Sequence, residues 1–122
     1  MPYAIDIDPD RRLVMTRFSG VVTEQEVSAY REELRKNPEF QVDFDELMIG
    51  RETITTHYSF EQFSYDPADI PFGKGSRRAL VVGGNQYTEE RAKIIKTRQR
   101  DAPYEMRIFR DEAEARRWLG LA

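Results

Sequence analysis

The amino-acid sequence predicts an α/β domain with a five-stranded, mostly parallel sheet, one antiparallel edge strand and helices packed on the sheet. After an initial hairpin, segments with strand periodicity alternate with segments of helical periodicity, in the order β-β-α-β-α-β-α-β-α. Residues 79–82 are continuously apolar, as in a strand covered on both faces. Strands separated by helices pair in parallel through right-handed crossovers, so only the hairpin contributes an antiparallel strand.

Two strands and a tight turn are predicted at the N-terminus. Apolar residues alternate with polar ones at Tyr3, Ile5 and Ile7, the period of a half-buried strand. Residues 8–11 contain a proline flanked by aspartates and are typical of a turn. Residues 13–19 are rich in β-forming side chains and predict the second strand, which we expect to end at the following glycine.

The first helix is predicted from a capping box at residues 23–26, in which the Thr23 hydroxyl and the Glu26 carboxylate bind each other's free amides. Pro38 should end this helix. Three residues fall on its apolar face: Val27, Tyr30 and Leu34.

The middle of the chain should supply two strands and two further helices. A third strand lies within residues 42–50, and a capping box beginning at Ser59 predicts a short helix. Residues 66–76 are rich in proline and glycine and form either a mobile lid or a fixed loop. The fourth strand, at 79–82, precedes a helix from about 86 to 101.

The C-terminal part predicts a fifth strand and a last helix. Met106 and Ile108 lie on one side of the strand at 104–110. Residues 111–114 form a third capping box, and the helix that follows should bury Trp118 and its neighbour Leu119. We therefore expect one domain over residues 1–122, because the chain is too short for two cores.

Composition excludes several classes of function. The formal net charge of −3 argues against a nucleic-acid-binding protein, which needs a basic surplus. The chain has no cysteine and one histidine, so we expect no metal site and no cofactor bound through such ligands. It has no apolar run long enough to span a membrane and no signal peptide, so we expect a cytoplasmic protein.

Three segments resemble the small bacterial SpoIIAA-like family, which belongs to the STAS (anti-sigma-factor-antagonist) group. They are residues 13–23, residues 76–82, and residues 108–113 together with the closing Trp118-Leu119. The resemblance covers nearly the whole chain and implies a STAS-type fold, which is shared with lipid-binding Sec14 (CRAL-TRIO) domains. It implies a non-catalytic regulatory module that binds a protein partner, or alternatively a domain that binds a small apolar molecule or lipid.

Ser59 is the candidate phosphoacceptor that the resemblance implies. Anti-sigma-factor antagonists carry a phosphorylatable serine in an Asp-Ser-Ser-Gly-like stretch at the helix after the third strand. Residues 51–60 lack that signature, and Ser59 is the nearest positional equivalent. A phosphate there would meet free amides and the positive end of the helix dipole. The alternative is that Ser59 only caps the helix.

A ligand or partner surface is the second kind of site that the sequence suggests. His57 lacks the orienting acid and nucleophile motif of a catalytic base, so we expect no catalytic residues and no enzyme activity. In the small-molecule alternative, residues 59–76 would form a lid over an aromatic pocket. An exposed sheet edge could also support a homodimer. The candidate surface comprises His57, Tyr58, Phe60, Phe63, Phe72, Gly83, Gly84, Asn85 and Tyr87.

Overall fold

The computed structural model describes residues 3–22, 24–55, 70–83, 93, 97 and 99–121. Within them, one five-stranded sheet has the strand order β1-β2-β3-β4-β5. β1 is antiparallel to β2, and all the other neighbouring strands are parallel, which confirms the predicted mixed sheet. The strands are β1 Tyr3–Asp8, β2 Leu13–Val22, β3 Asp45–Thr55, β4 Arg77–Val81 and β5 Glu105–Phe109.

The described helices are α1, Glu24–Lys36, and α2, Glu112–Trp118, with a short 3-10 helix at Gln99–Asp101. The helix predicted from Ser59 lies outside the described residues. Within the helix predicted at about 86–101, Lys93 and Thr97 are described as helical, and the end of the range forms the 3-10 helix. The Thr97 hydroxyl donates to the Lys93 carbonyl oxygen at 2.9 Å, a bond that spans one helical turn.

The predicted hairpin between β1 and β2 is confirmed. Its register pairs Asp8 with Leu13. The Arg11 amide donates to Asp8 Oδ1 at 3.2 Å, and the Arg12 amide donates to the Pro9 carbonyl at 3.2 Å. The aspartate and the proline therefore close the turn locally.

The prediction that β2 ends at Gly20 is wrong, because the strand continues to Val22. Gly20 has a φ of 68°, and the pairing of β2 with β3 shifts register between Arg17 and Ser19. The extra residue at this shift is on β3, between Ile49 and Glu52. Glycine adopts the left-handed conformation without a steric penalty, so β2 continues through Gly20, which pairs with Thr53. β3 likewise extends beyond the predicted 42–50 segment, to Thr55.

The sheet separates two apolar clusters. The first contains the predicted buried face of α1 together with Met106 and Ile108 of β5. The second lies under α2 and includes Leu119, with Trp118 partly buried beside it. Both faces of β4 are therefore covered, as its apolar sequence predicted.

Hydrogen bonds at both ends hold α2 on the second face of the sheet. At its start, Asp111 Oδ1 accepts from the Ala113 amide at 2.8 Å, which confirms Asp111 as the N-cap. At its end, the Arg77 guanidinium donates to the carbonyl oxygens of Trp118 and Leu119 at 2.8 and 3.0 Å. The same guanidinium pairs with Asp45 at 3.1 Å. Arg77 thus ties the C-terminus of α2 to the start of β3.

Candidate functional site

The segments that carry most of the candidate residues leave the sheet at the same edge. β3 and β4 are adjacent and parallel, so the chain leaves both strands at their shared carboxyl edge. Residues 57–60 follow β3, and residues 83–85 follow β4. In open α/β sheets this edge is where ligands and partners are commonly bound.

The chain leaves β3 and β4 at different positions along the strand direction. β4 makes its last pairing with β3 at Val81, opposite Ile49. β3 continues from there to Thr55 and is paired with β2 along this extension, up to Val22. Val22, the partner of Thr55, lies five residues beyond Arg17, and Gly83 lies two beyond Val81 at the same level, so at about 3.3 Å per residue Thr55 lies roughly 10 Å further along the strand direction than Gly83. The β2–β3 extension is therefore a two-stranded projection beyond the end of β4.

Most of the candidate residues lie outside the described part of the chain. Gly83 is described, half-buried, at the exit from β4. Phe72 is described and is 3% exposed in the first apolar cluster. Phe72 is therefore packed in the core, and it would line a ligand or partner surface only if this segment moved. The candidates outside the described residues are His57, Tyr58, Ser59, Phe60, Phe63, Gly84, Asn85 and Tyr87.

Residues 70–76, the described part of the proposed lid, are packed against the rest of the domain. Ile70 and Phe72 are both buried. The Phe72 ring contacts Phe40 edge-on, with ring centroids 5.3 Å apart. The Gly73 amide donates to the Val42 carbonyl at 2.7 Å. This stretch is a fixed connection, held by apolar contacts and by a backbone hydrogen bond.

A buried polar cluster lies between α1 and the sheet, and sequence reasoning missed it. Glu46 on β3 and Arg78 on β4 are 0% and 2% exposed and form an ion pair, with Arg78 Nε 2.8 Å from Glu46 Oε1. The Tyr30 hydroxyl on α1 donates to the other carboxylate oxygen, Oε2, at 2.5 Å. The Thr16 hydroxyl on β2 donates to the Tyr30 oxygen at 3.2 Å. One carboxylate thus connects three elements of the fold.

Aromatic rings complete the surroundings of Arg78. Its guanidinium carbon lies 4.8 Å from the ring centroid of Tyr104 and 5.2 Å from that of Phe72. Rings at this distance attract a cation through their negative faces, most strongly where water is excluded. Arg78 is therefore held by one carboxylate and two rings.

The electrostatics of this cluster favour a charged Arg78 guanidinium and neutral tyrosines. Burial opposes the charge on Arg78, but the Glu46 carboxylate and the neighbouring tyrosines together outweigh it and raise the pKa of the guanidinium. Burial and the Glu46 charge together raise the pKa of Tyr30 well above 10.0. Burial also raises the pKa of Tyr104, against the opposing effect of Arg78. The arrangement suits a structural anchor, because its polar groups are paired with each other and shielded from solvent.

The sequence contained only weak signals of this pair. Arg78 directly precedes the apolar run at 79–82, and Glu46 directly precedes Leu47 in the third strand. A charged residue at the start of a strand normally faces water, and nothing local predicts otherwise. The strand register places Glu46 opposite Arg78, and that pairing spans 32 residues of sequence.

The described residues hold neither a candidate metal cluster nor a candidate membrane-spanning helix. They contain no group of three or more histidine, aspartate or glutamate side chains placed to hold a metal ion. Among them, no helix combines the length and the apolar character that crossing a bilayer requires.

Comparison with solved structures identifies the fold. The chain superimposes on an uncharacterized protein of the DUF3478 family from Shewanella loihica PV-4, which has a SpoIIAA-like fold, with a TM-score of 0.54. The alignment covers 96% of this chain and 93% of that one. The sequences are 17% identical. The fold is SpoIIAA-like. No family model and no curated protein matches the sequence.

The SpoIIAA-like fold accounts for the main architectural predictions. Its mixed five-stranded sheet agrees with the resemblance carried by residues 13–23 and 76–82. At 17% identity the likeness concerns the fold, and a fold of this kind hosts different activities. The function is therefore argued from the chain itself.

Proposed function

We propose that this protein is a non-catalytic, cytoplasmic regulatory module that binds a protein partner at the carboxyl edge of β3 and β4. The observation that carries the proposal is the parallel pairing of these strands, because of which the chain leaves both strands at one edge of the sheet. Residues 56–60 follow the first of these exits in sequence, and residues 83–87 follow the second. Aromatic side chains, a histidine and a serine occur within these two stretches, a composition suited to a recognition surface.

The β2–β3 projection adds to this proposal. The chain that carries Ser59 departs from Thr55, the last residue of the projection and a residue paired with Val22. The segment that follows Thr55 therefore begins at the end of a paired two-stranded projection, beyond the end of β4. A partner could then contact this segment without moving the core.

The buried charges support a non-catalytic role. Glu46 and Arg78 are both buried, bind each other and contact Tyr30 and Phe72. Their geometry serves to join α1 to the sheet. The proposal therefore assigns function to the carboxyl edge and stability to the buried cluster.

Phosphorylation of Ser59 is proposed as the regulatory step. A phosphate adds about −1.5 to −2 charges at neutral pH and would change the surface offered to the partner. Intact mass and fragmentation spectra of the protein purified from its host should show a phosphate on Ser59. The phosphate should disappear in Ser59→Ala and persist in Ser28→Ala, which alters an exposed serine on α1. Unmodified Ser59 under all growth conditions would exclude this step.

Site-specific photocrosslinking tests the docking edge. A photoreactive phenylalanine analogue placed at Tyr58 or at Asn85 should capture the same partner in host cells. The same analogue at Ser28 or Ala29, both exposed on α1, should not capture it. Capture from the α1 positions alone, or from none of the four, would refute docking at this edge.

The small-molecule or lipid alternative receives less support. It requires residues 59–76 to lift as a lid, and the described part of that segment is packed through Ile70 and Phe72. Native mass spectrometry of the protein from its host distinguishes the two hypotheses. A noncovalent mass of a few hundred daltons that denaturation removes would favour the alternative over partner docking.

A further inference from the structure

β5 ends the sheet with backbone groups that face away from it. The Glu105 amide donates to the Ser76 carbonyl at 3.0 Å, and the Phe109 carbonyl accepts from the Val82 amide at 2.8 Å. Backbone groups alternate sides along a strand, so the amide and carbonyl of Met106 and Ile108 point the other way. Within the described part of the chain, no strand lies on that side. This outer edge of β5 is a template for another strand.

The exposed side chains of β5 carry opposite charges. Glu105 and Arg107 are both exposed and, two residues apart, project from the same face of the sheet. Neither side chain forms an ion pair with any other residue that the structure describes. The Arg107 guanidinium carbon lies 5.2 Å from the Phe109 ring centroid and 5.7 Å from that of Trp118, which limits its freedom. The edge therefore offers an oriented cation next to an anion.

We propose that the outer edge of β5 is a homodimer interface, in which two copies pair antiparallel about a two-fold axis at Met106. In this register Met106 faces its own copy, and Glu105 faces Arg107 of the second copy. The two-fold axis repeats that pair, so two interchain ion pairs form. In the hydrogen-bonding positions, the outward backbone groups of Met106 face those of Met106 in the second copy, and those of Ile108 face Tyr104. The charged residues occupy the closer non-hydrogen-bonded positions.

Charge excludes the neighbouring registers. A two-fold axis at Glu105 would place the two glutamates opposite each other, and an axis at Arg107 would do the same to the arginines. Like charges directly opposite in a sheet are destabilising. Only the register centred on Met106 sets each charge against its opposite.

The other edge of the sheet lacks this self-complementarity. On the same face, the exposed side chains of the edge strand β1 are Ala4 and Asp6. Antiparallel self-pairing of β1 would set Asp6 against itself or against an alanine. The second copy is therefore expected at β5. This inference is independent of the proposed function, whose surface is the carboxyl edge of β3 and β4.

Charge reversal in the full-length chain is the first test, with sedimentation velocity as the readout of the dimer dissociation constant. Arg107→Glu and Glu105→Arg each turn two attractive pairs into repulsive ones. Each should raise the dissociation constant by at least roughly tenfold. An equimolar mixture of the two variants should recover a dimer, because every facing pair is again opposite in charge. Asp6→Arg, at the other edge, should leave the dissociation constant unchanged.

Cysteine trapping is the second test and reads the register directly, since the chain has no cysteine of its own. Directly opposite non-hydrogen-bonded residues have Cα atoms about 4.5 Å apart, which permits a disulfide. Diagonal residues are about 7–8 Å apart, which hinders one. A mixture of Glu105→Cys and Arg107→Cys should therefore oxidise to a covalent dimer faster than either variant alone. A wild-type chain that sediments as a monomer at all attainable concentrations, or equal trapping in all three samples, would overturn the proposal.

Discussion

The hydroxyl of Tyr30 donates a 2.5 Å hydrogen bond to Oε2 of Glu46 and so joins α1 to the central strand β3. The second oxygen of the same carboxylate accepts from Arg78 Nε at 2.8 Å. All three side chains are buried, so each bond acts in surroundings where an unpaired polar group is costly. The helix and two strands are therefore held in one arrangement by a single carboxylate.

Replacing Glu46 with glutamine should severely destabilise the domain. The Arg78 charge would remain buried without its counter-charge, which costs about 3–5 kcal/mol of unfolding free energy. Urea denaturation followed by circular dichroism measures the loss. Glu32→Gln is the matched control, because its partner Arg35 is on the surface, and it should cost less than about 1 kcal/mol. Equal losses in the two variants would contradict the role given to Glu46.

Tyr30 should make stability fall at alkaline pH. The pKa of Tyr30 is raised above its unfolded value of 10.0, mainly by burial and next by the Glu46 charge. The unfolded chain therefore releases this proton first, so its contribution to stability is complete below pH 10 and is lost as pH rises further. Each such tyrosine lowers the unfolding free energy by up to about 1.4 kcal/mol per pH unit.

The measurement is urea denaturation at several pH values between 8 and 11.5, on the wild type and on Tyr30→Phe. The variant should be less stable at pH 8, by about 1–3 kcal/mol, because Glu46 loses a buried donor. It should also show a shallower decline above pH 10. Parallel declines in the two proteins would show that Tyr30 ionises as readily in the folded state as in the unfolded state.

Ser76 should tolerate loss of its hydroxyl. Its Oγ is buried and has no hydrogen-bond partner among the described residues. Ser76→Ala should leave the unfolding free energy unchanged or raise it, because no hydrogen bond is lost and a desolvated hydroxyl is removed. Thr16→Val removes a hydroxyl that donates to Tyr30 and should cost about 1 kcal/mol. Thermal unfolding of the pair checks the contrast, and a larger loss in Ser76→Ala would reveal an unseen partner for its hydroxyl.

Phe72 should behave as a core residue. Phe72→Ala removes a ring that is 3% exposed and should cost about 3–5 kcal/mol. Val42→Ala alters an apolar side chain that is 58% exposed in the loop contacted by Gly73, and should cost about 0.5 kcal/mol or less. Denaturant midpoints of both variants supply the comparison. A small loss of stability in Phe72→Ala would indicate that Phe72 belongs to a mobile lid and not to the core.

Local patterns were sufficient for the architecture. The alternation at Tyr3, Ile5 and Ile7, the turn at 8–11 and the apolar run at 79–82 each depend on neighbouring residues, so they can be recognised without the fold. The extension of β2 beyond Gly20 could not be recognised in this way. Glycine usually ends or interrupts a strand, but here the pairing of β2 with β3 outweighs that preference.

The candidate site was predicted in part. The order of strands and helices was enough to expect that the segments after β3 and β4 share one edge, because parallel strands have their carboxyl ends on the same side. The different positions of the two exits along the strand direction, at Thr55 and Gly83, depend on the length of strand pairing and appear only in the structure. The packing of Phe72 could not be predicted, because an aromatic residue in a Pro/Gly-rich stretch has no local pattern that distinguishes core from surface.

The order and type of the described elements were therefore encoded in short stretches of sequence, since hydrophobic period and turn chemistry are local properties. The partnership of Glu46 with Arg78, and the charge pattern that the edge of β5 presents, required the tertiary structure. Two residues that are 32 positions apart in sequence come into contact only through the strand register. Whether β5 lies at the edge of the sheet depends on the complete strand order.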